Sequence, residues 1–247
     1  MKRLFEEADQ MMNRTIGTMA LGTVLGVVLL GVTGVGWAQG AKAPYPAMAP
    51  LEQYRVVNKT EEIALARSAA PEAVSREAEV LVLGERGYET AAKGTNGFVC
   101  VVERSWSDPF DDPEFWNPKA RSPQCFNAAA ARSVLPVYLK RTEWVLAGLT
   151  KEQMQERTKE AVATKVIATP ELGSMCYMLS KKGHLNDKDG HWHPHLMFFL
   201  PPTEPAKWGA NLEGYSPIFA AQSNPEPVTT FFVPVEKWSD GTMAEMK

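Results

Sequence analysis

All four histidines of the chain, His184, His191, His193 and His195, fall within twelve consecutive residues. Imidazole is the commonest metal ligand, so this crowding points to a metal site. On a strand, alternate residues face the same way, and His191, His193 and His195 are expected to share one face. Asn186-Asp187-Lys188-Asp189-Gly190 is a turn sequence, which predicts an antiparallel hairpin with His184 opposite His191. That register sets Lys182 opposite His193, Ser180 opposite His195, Met178 opposite Met197 and Cys176 opposite Phe199. The other face carries Tyr177, Leu179, Leu185, Trp192, Pro194, Leu196, Phe198 and Leu200, and is expected to be the core. The histidine face then looks into a cleft or at solvent.

Same-face neighbours on a strand lie roughly 7 Å apart, so one ion takes two of the strand histidines plus His184 or an acid from elsewhere. Pro194 supplies a bend and implies an edge position. Zinc is the first choice, with imidazole nitrogens at about 2.0–2.1 Å. Copper is the second, because Met178 and Met197 can approach the same face. Open coordination positions would make the ion a Lewis acid. The plain alternative is a strand of solvated or hydrogen-bonded imidazoles without metal.

Other chemical signals are weaker. Asp187-x-Asp189-Gly190 resembles the middle of a calcium loop, but Leu185 and Leu196 stand where the first and twelfth ligands belong, so it reads as a turn. Asp108, Asp111, Asp112 and Glu114 could hold calcium, yet aspartate beside proline reads as a loop. No G-x-S-x-G, P-loop, dinucleotide fingerprint or H-E-x-x-H occurs. Cys176 lies toward the Met/Phe end of the hairpin and reads as a core thiol.

The N-terminus fixes the expected compartment. Ile16 to Ala38 carries no charge, follows Lys2, Arg3 and Arg14, and ends in Gly36 and Ala38, the small residues of a peptidase site before Gln39. Residues 1–38 therefore read as an export signal, placing the protein in the periplasm or outside the cell. An uncleaved span would make it a membrane anchor instead. Glu6, Glu7 and Asp9 are unusual in a signal head and suggest a start at Met11 or Met12. In an oxidising compartment two of the three cysteines are expected to bond. Proximity in sequence favours Cys100 with Cys125, leaving Cys176 free and buried.

These residues must be held by a fold of ordinary composition: 247 residues, 45% apolar and 22% charged, net charge −3. That excludes disorder and collagen-like chains. A pI near 5.9 with no basic run excludes a nucleic-acid partner. Residues 39–58, with three prolines from Ala41 to Pro50, read as an extended leader without packing of its own. Residues 59–247 read as a single α+β domain, an antiparallel sheet covered by helices. Within it Thr60 is expected to cap a short helix ended by Pro71. Val80 to Leu83 reads as a buried strand, and Tyr88–Ala92 with Phe98–Glu103 as a hairpin around Asn96-Gly97. Ser105 to Pro123 reads as a long loop. Helices follow to about Val166, signalled by Asn127, Pro136, Gly148 and a Thr150/Gln153 capping box. Strands then return at Met175–Lys181, Pro194–Leu200, Pro217–Ala221 and Thr229–Val235.

Two functions fit this reading. One is an exported metal protein, a metal-dependent enzyme or an envelope metal binder, acting on a small molecule or envelope component. The other is a non-catalytic envelope domain without metal that binds a partner through the Trp106 to Trp116 loop, whose aromatic and acidic residues suit recognition.

Overall fold

The computed structural model describes residues 44–213 and 216–245. The expected signal segment and the cleavage point before Gln39 lie outside them. Eight strands make one mixed sheet: β1 (Glu79–Leu83), β2 (Tyr88–Ala92), β3 (Val99–Glu103), β4 (Ser122–Phe126), β5 (Met175–Met178), β6 (His195–Leu200), β7 (Phe219–Gln222) and β8 (Thr229–Pro234). Their order is β2-β1-β3-β4-β5-β6-β8-β7. The α+β class stands, but the sheet is not wholly antiparallel, because β1 and β3 run parallel.

That parallel pair corrects the expected hairpin. β2 turns back on β1, not on β3, and β3 lies on the far side of β1. The turn is closed by Gly84 N–H donating to Gly87 O at 2.9 Å, with Gly87 at a φ of 125° that favours glycine. Burial explains the choice. β3 is apolar on both faces and needs a central place, whereas β2 exposes Glu89 and Thr90 and suits an edge.

Helix α1 (Lys59–Arg67) starts at Asn58, two residues before the expected cap, where the Asn58 side chain accepts from Thr60 N–H at 2.9 Å. With its following turn, α1 covers one face of the sheet, packing Ala66, Ala69 and Ala70 against Val80, Val82, Cys100 and Cys125. A short α2 (Glu72–Ser75) follows Pro71. Helices α3 (Ala128–Ser133) and α4 (Leu135–Leu146) cover the opposite face, where Val134 and Leu135 meet Phe126, Cys176, Met178, Met197 and Phe199. Asn127 caps α3 as expected, and α5 (Lys151–Ala163) opens on the expected Thr150/Gln153 capping box.

A third cluster closes one end of the sheet. Tyr54, wholly buried, meets Trp106, Phe110, Phe115 and Trp116, and Tyr45, Met48 and Ala49 pack against the group. The described part of the proline-rich leader therefore has packing that its composition does not announce. The long loop is likewise built around its aromatic residues. Among the described residues no helix is long and apolar enough to cross a membrane.

Cys100 and Cys125 sit directly opposite each other on β3 and β4 and form the expected disulfide, with Cys176 free and buried. Cys125 belongs to a strand and not to a loop, so cross-strand register creates the bond.

Candidate functional site

The turn that orients the histidines forms where the sequence puts it. Leu185 N–H donates to Gly190 O at 3.0 Å and Gly190 N–H to Asn186 O at 2.9 Å. The strands flanking it pair two residues away from the expected register: Cys176 faces Met197, and Met178 faces His195. The stretch from Leu179 to Pro194 leaves the ladder because its backbone is claimed elsewhere. Leu179 N–H donates to Ala69 O, Leu179 O accepts from Ser239 N–H, and His184 bridges Arg121 in both directions. Pro194 has no N–H with which to extend β6.

On β5 and β6 the two faces are also exchanged relative to expectation, whereas Leu179, Trp192 and Pro194, expected in the core, are buried. Cys176, Met178, Met197 and Phe199 are buried under α3 and α4, whereas Phe198 on the other face is 37% exposed. Both faces of these strands are apolar in sequence, and helix placement decides which is covered.

Each histidine has its own surroundings. His184 Nε2 lies 3.4 Å from Asp187 Oδ1. Asp187 also accepts from Tyr45 Oη and Lys119 Nζ, and these bonds, Tyr45 first, hold its carboxyl at about 2. His193 is pushed below the usual imidazole range by burial, opposed by a hydrogen bond with the Val235 backbone. His191 Nδ1 lies 2.6 Å from Trp192 O, and His195 Nδ1 lies 2.8 Å from His193 O. A carbonyl only accepts, so each Nδ1 carries a proton, and in the neutral form of each ring Nε2 holds the lone pair. The Nε2 of His191 is buried without a partner, its ring edge-on to Trp238 at 4.9 Å. Burial lowers His195 to about 4.

Trp192 anchors this segment. Its Nε1 donates to Met178 O at 3.1 Å and its ring packs so tightly on Gly183 that a Cβ there would lie 1.9 Å from Cη2. Among the described residues no group of three or more His, Cys, Asp or Glu is placed to hold a metal ion, so the four histidines do not converge. What the register does assemble is a square of soft and nitrogen donors. Cys176 and Met178 on β5 lie opposite Met197 and His195 on β6, all at alternating positions of one face, which is buried at Cys176, Met178 and Met197 and half-buried at His195.

A second concentration of polar groups lies on the same side of the sheet and was invisible in the sequence. Glu103 at the end of β3 is 3% exposed, and its Oε2 accepts from Gln124 Nε2 at 2.8 Å. The Gln124 Oε1 lies 3.5 Å from the Cys176 thiol. From α4, Arg141 donates to the carbonyls of Trp106, Ser107 and Asp108 and to the Glu226 carboxylate between β7 and β8. Burial pushes Glu103 well above the carboxylate range, reinforced by Asp108; burial and then Asp112 push Asp108 up to about 8. Such perturbed groups concentrate at functional sites. Glu103, Asp108, Arg141 and Glu226 come from remote segments without a shared motif, and only the Asp108 loop had been singled out.

No family model, no curated protein and no solved structure matches this chain.

Proposed function

We propose that this is an exported domain that binds a soft transition-metal ion, copper(I), through Cys176, Met178, His195 and Met197. The observation that carries the reading is the β5–β6 register, which sets Cys176 against Met197 and Met178 against His195 on one face, buried at Cys176, Met178 and Met197 and half-buried at His195. Thioether and thiol sulfur select copper(I), and imidazole suits copper as well. His195 supports this by committing Nδ1 to a carbonyl and leaving Nε2 as a lone pair, the usual state of an oriented ligand histidine. Zinc, the first expectation, would find only two of its customary ligand types here, Cys176 and His195.

The test uses untagged protein titrated anaerobically with copper(I) against a chromogenic chelator, with zinc in parallel. One equivalent of copper(I) is expected. Loss of even an outer-shell partner weakens a site about 10–100-fold, so Met178→Leu and His195→Ala should each lose at least that much. His184→Ala should bind as the wild type does. Failure of the folded protein to take up copper(I), or equal affinity in Met178→Leu, rejects the site and favours the metal-free envelope domain recognising its partner through Trp106 to Trp116. Export is tested separately: the mature chain should begin near Gln39, and an intact N-terminus in the membrane fraction would make it an anchored protein.

A further inference from the structure

An edge strand presents a row of backbone N–H and C=O groups, a template on which a second strand can add. The sheet has two such edges, β2 and β7. Charge guards β2, because Glu89 stands on it and pairs with Lys59 at 3.1 Å. No charge guards β7. From Ser216 to Ser223 the sequence is Ser-Pro-Ile-Phe-Ala-Ala-Gln-Ser, without an ionisable side chain. Within it Phe219–Gln222 pairs with β8 along one side only.

The other side of β7 is closed by a single side chain. Asn211 Nδ2 donates to Ala220 O at 2.8 Å, and Asn211 Oδ1 accepts from Ala220 N–H at 2.9 Å. The Asn211 backbone N–H donates to Ile218 O at 3.1 Å. A carboxamide carries the same donor and acceptor as a peptide unit, so Asn211 stands in for the residue that a neighbouring strand would supply. Its φ of 56° is left-handed, a conformation that asparagine adopts more readily than most residues. The short 3-10 helix Pro205–Trp208 delivers it there, with the Trp208 ring 5.4 Å from that of Phe231 on β8. Asn211 is exposed, so water competes for its bonds and they add little to stability. What they change is access to the edge.

We propose that β7 is a strand-pairing surface held closed by Asn211, and that the strand it fits is β7 of a second copy of this chain. The uncharged stretch is its own complement. A two-fold axis would set β7 antiparallel to β7, joining the groups of Ala220 released on each copy and opposing no like charges. Beside the edge Trp208 is 55% exposed and offers apolar surface for the second copy to cover. None of these residues belongs to the β5–β6 square, so the edge is independent of copper binding.

The test is the mass of untagged protein by sedimentation equilibrium across a concentration series. The wild type should be monomeric. Asn211→Gly removes the amide and suits the left-handed backbone, so the circular dichroism spectrum should be kept while dimer formation strengthens at least about tenfold. Ala221 is exposed in the middle of β7, and Ala221→Lys would place like charges across two paired copies. Added to Asn211→Gly, it should restore the monomer. If Asn211→Gly does not fold, amide exchange in the wild type serves: Ala220 N–H should exchange at least about tenfold more slowly than in an unfolded chain. Unprotected exchange there, or folded Asn211→Gly no more associated than the wild type, overturns the proposal. So does association that Ala221→Lys leaves unchanged, which puts the contact elsewhere. A wild type already dimeric and dissociated by Ala221→Lys would show that Asn211 does not close the edge, and overturns it as well.

Discussion

Replacing Arg141 with alanine should destabilise the fold more than any other single change in the polar centre. Arg141 is 3% exposed and donates to the carbonyls of Trp106, Ser107 and Asp108 at 3.3, 3.1 and 2.7 Å, and to Glu226, itself 7% exposed. Truncation leaves the Glu226 carboxylate buried and uncompensated. Breaking a buried pair this way costs about 3–5 kcal/mol, a large share of a domain stability of about 5–15 kcal/mol. Glu226→Gln keeps an acceptor for Arg141 and loses only the charge, about 1.5 kcal/mol. Arg141→Lys keeps the charge but cannot serve four acceptors from one planar fork, and should fall between them. The double variant Arg141→Met/Glu226→Leu removes both charges together and should be more stable than Arg141→Ala alone. Urea denaturation followed by circular dichroism and tryptophan fluorescence gives these differences, with an unchanged slope showing that the denatured state is the same. An Arg141→Ala loss below about 1 kcal/mol, or a double variant less stable than the single one, would refute the assignment of Arg141 as the tie between these segments.

Gly183→Ala should cost about 3 kcal/mol or more in the same assay, because its Cβ would meet Trp192 Cη2 at 1.9 Å and displace the ring. Reducing Cys100–Cys125, which closes a loop of 25 residues, should lower stability by about 3 kcal/mol. In metal-free protein, His195 titrates near 4 when folded against 6.5 as the ordinary value, so the unfolded chain binds more protons between those pH values. Stability should therefore fall as pH drops from about 6.5 to 4, and His195→Gln should flatten that part of the curve. Asp108 acts with the opposite sign. Its folded value of about 8 against 3.8 means that the folded state holds the extra proton, so stability falls as pH rises through that range. Asp108→Asn should flatten this decline, and an unchanged profile in either variant would reject the corresponding assignment.

The local elements were legible from the residues alone. Asn127, Pro136, Gly148 and the Thr150/Gln153 box mark helix ends because caps are satisfied by residues within one turn, and they hold in the structure. The strand positions other than β4, which had read as loop, and the Asn186 to Gly190 turn were legible for the same reason, since period and turn chemistry are short-range properties. Partner choice was not. Tyr88–Ala92 pairs with β1 because a central place went to the strand apolar on both faces, a competition settled only when the whole sheet is assembled. The two-residue offset between β5 and β6 arose because Ala69, Arg121 and Ser239, all distant in sequence, took the backbone groups that a simple hairpin would have used. That offset decided which residues meet His195, exchanging Ser180 for Met178. The buried centre around Glu103, Arg141 and Glu226 left no signal at all, because its members are held by packing of remote segments and share neither a motif nor a period.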